Sequence, residues 1–404
     1  MTDLSQNADG PRHSRGARNG EPTPSVMPMA EGHAPVTPLE LFFDLLFVFA
    51  FTQVTGLFSD DPTWNGLARG LLVLSVLWWT WAGYARLTNR LDPEAALVRV
   101  VVLAAVGGML VVSLALPRVF GADGLLFAVG YFVLRALHFV LASLAADADA
   151  EWRRATFAVA PNAIVITGAL IAASRLHGNA QLACWALAAV VSYGWPLIGH
   201  ARGWDVSSAH FVERFGLVIL IALGEAVVAV GAGASGLRLD AGVVASALFG
   251  MTVIACLWWA YFDWVVYVAG DRLESATGVD RATLARDAYA YLHSAMVGGI
   301  VLFAYGVETA LHDTASPLGA IPATALSGGV AIYFVAHVGL RLRIGGGLGH
   351  GRPLAALVAM VTIPVATVVD ALVTLMAVAV VCAGLIVYEV VRYRDDRAAI
   401  RSQR

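Results

Sequence analysis

Ten of the ionisable residues inside apolar stretches are candidates for chemistry: Glu40, Asp44, Arg135, His138, Glu213, Arg214, Glu225, Asp263, His293 and His337. In hydrocarbon a charged side chain costs at least about 2.5–3.5 kcal/mol on insertion scales, so each such group needs a partner, a wet cavity or a function. Glu40 and Asp44 are one helical turn apart on one face, and Thr55 continues that stripe. Counting along each apolar stretch at about 1.5 Å per residue puts Asp44, His138, Glu213, Arg214, Asp263, His293 and His337 in the same half of the bilayer. Residues of these types at one depth can form fixed ion pairs between helices, or line a polar pathway or binding site. Glu225 lies deeper and has no partner evident in sequence. It follows Gly224, where a small residue is expected to let another backbone approach, and it suits a protonatable or ion-coordinating role.

Other chemistries are closed off. All 26 Lys+Arg residues are arginine, which removes Schiff-base catalysis and any GxxxxGK phosphate loop. HExxH and GxSxG are absent, and the histidines are too dispersed to define a metal centre. Cys184, Cys256 and Cys382 fall in apolar stretches and offer neither a disulfide framework nor a CxxC pair. The expectation is a protein that is not an enzyme, with no cofactor, no metal and no nucleic-acid partner. The pairs Trp78-Trp79 and Trp258-Trp259 suit helix packing or interfacial anchoring. Gly231, Gly233 and Gly345-Gly346-Gly347 read as turn residues.

The elements that must carry these residues follow from composition. Hydrophobic residues make up 59% of the chain and charged residues 14%, with mean hydropathy +0.73. Soluble domains run near 45–50% and about 25%. Apolar stretches long enough to cross about 30 Å of hydrocarbon follow one another from Leu39 to Val391. The fold class expected is an all-α polytopic membrane protein of about twelve transmembrane helices, at 38–58, 66–86, 97–116, 124–145, 155–174, 180–199, 210–231, 241–267, 288–310, 319–340, 353–369 and 372–391. The last two form a tight hairpin around Asp370. Residues 1–37, rich in Pro, Gly, Ser, Asn and Arg, read as a disordered tail and not as a signal peptide, and 393–404 as a basic tail. Arginines cluster in the loops of one side, against Arg118, Arg175 and Arg238 on the other. The positive-inside rule then places both termini in the cytoplasm, which requires an even number of spans.

The chain repeats itself. Residues 40–58 (ELFFDLLFVFAFTQVTGLF) align with 213–231 (ERFGLVILIALGEAVVAVG), LWWTWAGY at 77–84 with LWWAYFDW at 257–264, and Tyr131-Phe132-Val133 with Tyr333-Phe334-Val335. Three matches in one order imply two parallel six-helix repeats, 38–199 and 200–392, related by an axis along the membrane normal. The first and seventh spans, as the best-marked segments, are expected to be inner helices that face each other, with Glu40 over Glu213.

At TPLELFFDLLFVFAFTQVT (37–55) and HFVERFGLVILIALGEAVVAVG (210–231) the sequence resembles the bacterial low-temperature-requirement A (LtrA) family of integral membrane proteins. The resemblance implies a multi-pass protein of the bacterial cell membrane, named for a link to growth in the cold, and carries no assigned site residues. Phe42, Asp44, Phe47, Ala50 and Thr52 also resemble the first-helix motif of a family of endolysosomal and bacterial potassium channels. Phe43 departs from that motif, as does Phe215-Gly216-Leu217 in the second repeat. Beside the lipid bilayer, the partner expected is a small solute or ion. A transporter or permease is the first reading, a cation channel lined by spans one and seven the second, and an intramembrane sensor or lipid-modifying protein the third.

Overall fold

In the computed structural model the described residues are 36–92, 95–145, 154, 157–198 and 206–394. Residues 1–35 and 395–404 of the two expected tails lie outside them. Val36 and Thr37 belong to a helix start and not to a tail. Thr37 caps α1 (Pro38–Asp60): its hydroxyl accepts from the Glu40 N–H at 3.4 Å, while the Glu40 carboxylate accepts from the Thr37 N–H at 3.1 Å.

Among the described residues there is no β-strand, and nine helices are long and apolar enough to cross a membrane. They are α1, α3 (Ala96–Arg118, ending in a 3₁₀ turn), α4 (Gly124–Ala145), α6 (Gly178–Ile198), α7 (Ser208–Ala234), α8 (Ala241–Ser275), α9 (Gly278–His312), α10 (Ala320–Arg343) and α12 (Ala371–Arg392). Three more helices occupy the other apolar stretches. α2 (Trp64–Thr88) is long but less apolar, with Arg69 and four tryptophans, and α5 (Ala160–Ala173) and α11 (Gly351–Ala366) are short. The α11–α12 hairpin at Asp370 is as expected, and Asp370 bridges to Pro317.

Three helices contain a π turn: Tyr261–Val265 in α8, Ala285–Leu292 in α9 and Thr324–Gly328 in α10. Such turns shift the register of the side chains that follow and are frequent at functional sites.

Within the first six helices the main neighbours are α1–α2, α1–α3, α3–α4, α4–α5, α5–α6 and α2–α6, and α2 also touches α4. Within the last six they are α7–α8, α7–α9, α9–α10, α10–α11, α11–α12 and α8–α12, and α9 also touches α8 and α12. α1 packs on both α7 and α9 across the junction, and the Trp78 indole N–H of α2 donates to the Ala290 carbonyl of α9 at 2.8 Å.

α1 and α7 do meet, but they are not the most enclosed helices. In α9 and α10, 72% of the apolar window is buried, against 44% in α1 and 50% in α7. Glycine explains the difference. A Cβ on Gly306 of α9 would lie 2.5 Å from the Leu326 backbone of α10, and one on Gly329 would lie 2.4 Å from the Gly299 carbonyl. Two backbones that cross this closely seal each other from lipid.

Two glycine expectations change with the structure. Gly231 and Gly233 are helical, since α7 runs to Ala234, and Gly233 admits the α9 backbone at Glu308. Gly224 faces open space and admits nothing. Gly345, at φ +90°, is the turn residue expected.

Candidate functional site

Glu40 and Asp44 on α1 are one turn apart, and so are His210 and Arg214 on α7, so two i, i+4 pairs meet where the helices pack. The Arg214 guanidinium donates to Glu40 Oε1 at 2.6 Å and to Asp44 Oδ1 at 2.7 Å. It also donates to the Thr88 hydroxyl at 3.1 Å. Trp81 donates its indole N–H to Asp44 Oδ1 at 2.9 Å. All three charged side chains are at most 1% exposed.

His210 completes the cluster. Asn89 Oδ1 accepts from the Ser207 N–H at 2.7 Å, which turns its amide nitrogen toward His210 Nδ1 at 3.1 Å. Nδ1 is therefore an acceptor, and the proton sits on Nε2, which donates to Glu40 Oε2 at 3.0 Å. With a neutral imidazole the cluster holds two carboxylates and one guanidinium. With both acids ionised one negative charge is in excess, and Asp44 Oδ2 has no hydrogen-bond partner among the described residues.

A second acid lies along the same contact. Thr52 continues the Glu40–Asp44 face two turns on, about 12 Å deeper, and its hydroxyl contacts the Glu225 carboxylate of α7. Glu225 is 1% exposed, so both Asp44 and Glu225 face the α1–α7 junction and not lipid.

The remaining expected residues divide among other places. Glu213 is exposed and accepts from the Val36 N–H at 3.2 Å, outside the buried cluster, whereas Glu40 is buried. His293 donates from Nδ1 to the Ala288 carbonyl at 2.9 Å and accepts from the Tyr261 hydroxyl at 2.8 Å. It touches the first cluster only through rings, with Phe215 between it and Trp81. Asp263 sits on the π turn of α8. Arg135 and His138 are buried on α4, facing Gly83 of α2. His337 accepts at Nδ1 from Arg352, 2.8 Å away, and Arg352 forms a two-point pair with Glu389 at 2.7 and 3.1 Å. Equal depth thus brings together Asp44 and Arg214, while the three histidines take separate partners. Among the described residues no group of His, Cys, Asp and Glu could hold a metal ion.

Sequence reasoning missed His210, Thr88, Asn89, Arg352, Glu389 and Glu308. Glu308 and Glu389 lie inside expected spans, so a complete search for charge in apolar stretches finds them. His210 precedes Arg214 by one turn, which is the signal that both serve one face.

Helices of this length and composition, with charges paired in their interior, define a multi-pass α-helical membrane protein. Residues 35–387 match the family described as bacterial low temperature requirement A protein (LtrA), and the chain belongs to that family. It is 31% identical over 287 residues to a protein of Rhizobium meliloti that is described as uncharacterized, covering 67% of this chain and 68% of the relative. No solved structure matches the chain.

Proposed function

We propose that the chain is a transporter or permease of a small solute or ion in the bacterial cell membrane. It would have twelve spans in two parallel six-helix repeats, both termini cytoplasmic, and no catalytic step. One observation carries the reading: the α1–α7 junction buries two carboxylates around one guanidinium and a further carboxylate deeper on the same contact. A junction that lacks one positive charge favours uptake of a proton or monovalent cation, and Asp44 and Glu225 give it two successive stations. The repeat reading is supported by the matching order of the main neighbours in the two sets of six helices. A fourth sequence match adds to it, Val106-Gly107-Gly108-Met109 in α3 against Val297-Gly298-Gly299-Ile300 in α9. In both, the second glycine faces the next helix, at Leu134 and at Gly329. The link to growth in the cold rests on the family's description alone.

The test is flux in proteoliposomes loaded with a pH-sensitive dye, with sodium or potassium gradients applied in turn. The wild type should dissipate at least one of the three ion gradients, and Asp44→Asn and Glu225→Gln should slow that flux while inserting normally. Unchanged flux in both variants sinks the reading. Unitary currents in planar bilayers would replace it with the channel reading, α1 and α7 lining the pore.

A further inference from the structure

Away from the α1–α7 junction, the ends of α8, α10, α11 and α12 enclose a cavity of about 360 Å³. Arg352 in its wall is fully engaged, with Glu389, with the Ala260 carbonyl at 3.0 Å and with His337 Nδ1. That last contact makes Nδ1 an acceptor and leaves the His337 proton on Nε2, which has no partner among the described residues although the side chain is 1% exposed. Nε2 is sealed from the cavity, so it is not a contact for a ligand there.

Arg341 is the donor that faces the pocket, with one long hydrogen bond to the Tyr393 hydroxyl at 3.5 Å. Its guanidinium lies 5.8 Å from the centre of the Tyr393 ring and has no carboxylate partner among the described residues. Glycines hold it there: a Cβ on Gly346 would lie 2.7 Å from Arg341 Cγ, and one on Gly349, at φ +68°, would lie 2.7 Å from its terminal nitrogen. The glycine run read from sequence as a turn is thus also a collar around this arginine. With Arg352 and Glu389 cancelling, the pocket carries one net positive charge. Trp264, Val265, Val268 and Ile344 supply an apolar wall. Basic pockets between helices on the cytoplasmic side of membrane proteins suit lipid phosphates.

We propose that this pocket binds an oxyanion carried on an apolar body, with the oxyanion at Arg341 and the apolar body along Trp264, Val265 and Val268. A phospholipid headgroup and a soluble organic phosphate or carboxylate share that chemistry. The proposal does not depend on the transport reading.

The test uses the delipidated full chain in nonionic detergent. Native mass spectrometry and thermal unfolding read the binding of phosphatidylglycerol, phosphatidylcholine, hexyl phosphate and inorganic phosphate. Retention of phosphatidylglycerol over phosphatidylcholine, with hexyl phosphate inert, assigns a lipid headgroup, and hexyl phosphate bound more tightly than inorganic phosphate assigns a soluble amphiphile. Either supports the proposal. Arg341→Gln should weaken the bound probe by about tenfold or more. Should this variant fold poorly, Val268→Trp keeps every charge, fills the cavity and must also abolish binding. Binding of no probe, equal binding of the two lipids without any hexyl phosphate, or unchanged binding in Arg341→Gln overturns it.

Discussion

Arg214 is one cation between two buried carboxylates, and the sign of that imbalance separates the substitutions. Removing the guanidinium leaves Glu40 and Asp44 uncompensated, so Arg214→Ala should cost about 3–5 kcal/mol, as broken buried pairs do. Asp44→Asn removes the surplus negative charge. The Asn Oδ1 keeps both acceptor contacts, to Arg214 and Trp81, and its nitrogen replaces an oxygen that has no partner. Its stability in detergent should therefore stay within about 1 kcal/mol of wild type or rise. Equal losses in the two variants would show that the excess charge is not there. Much of this site was legible because Glu40, Asp44, Arg214 and Glu225 are conspicuous in apolar sequence. Their partners were less so. Thr88, Asn89 and His210 stand at helix ends, where polar residues are ordinary, and only the packing of α2 against α1 and α7 gives them a role.

At the scale of the elements, sequence periodicity located the helices well and ranked them poorly. Hydropathy marks α1 and α7 strongly, yet burial is set by how closely backbones approach, and this depends on which glycines face a neighbour. Gly224, Gly231, Gly233, Gly299 and Gly306 look alike in sequence. Gly306 and Gly299 lie on the α9–α10 crossing and Gly233 of α7 faces the α9 backbone, while Gly224 and Gly231 face open space. The π turns in α8, α9 and α10 were also invisible, because one inserted residue per helix leaves an apolar run apolar. Substitution separates these positions. In Gly306→Ala the new methyl meets the Leu326 backbone at 2.5 Å, which cannot yield as a side chain would, and the helices must part. Thermal unfolding of detergent-solubilised protein should fall sharply for Gly306→Ala and stay unchanged or rise slightly for Gly224→Ala. A reversed order would mean that the close crossing of α9 and α10 is not as described.

For the whole molecule, the charges assign each half to the other. The first six helices carry Glu40 and Asp44 without a cation of their own in that cluster, and the last six carry Arg214 without an acid. Further bonds cross the junction, from Trp78 to Ala290, from Ser207 to Asn89 and between Thr52 and Glu225. The two halves are thus complementary in charge, an arrangement that makes each half depend on its partner. A chain divided between residues 202 and 203 tests this directly. Expressed alone, neither 1–202 nor 203–404 should accumulate in the membrane, since each buries or exposes to lipid a charge worth several kcal/mol. Expressed together, they should copurify. The cause is isolated by neutralisation: the first half bearing Glu40→Gln and Asp44→Asn should accumulate alone to a greater degree than its parent and copurify less with the second half. Full accumulation of the unaltered first half alone, monodisperse in detergent, would show that Arg214 is no counter-ion to it and that the junction is held by apolar packing.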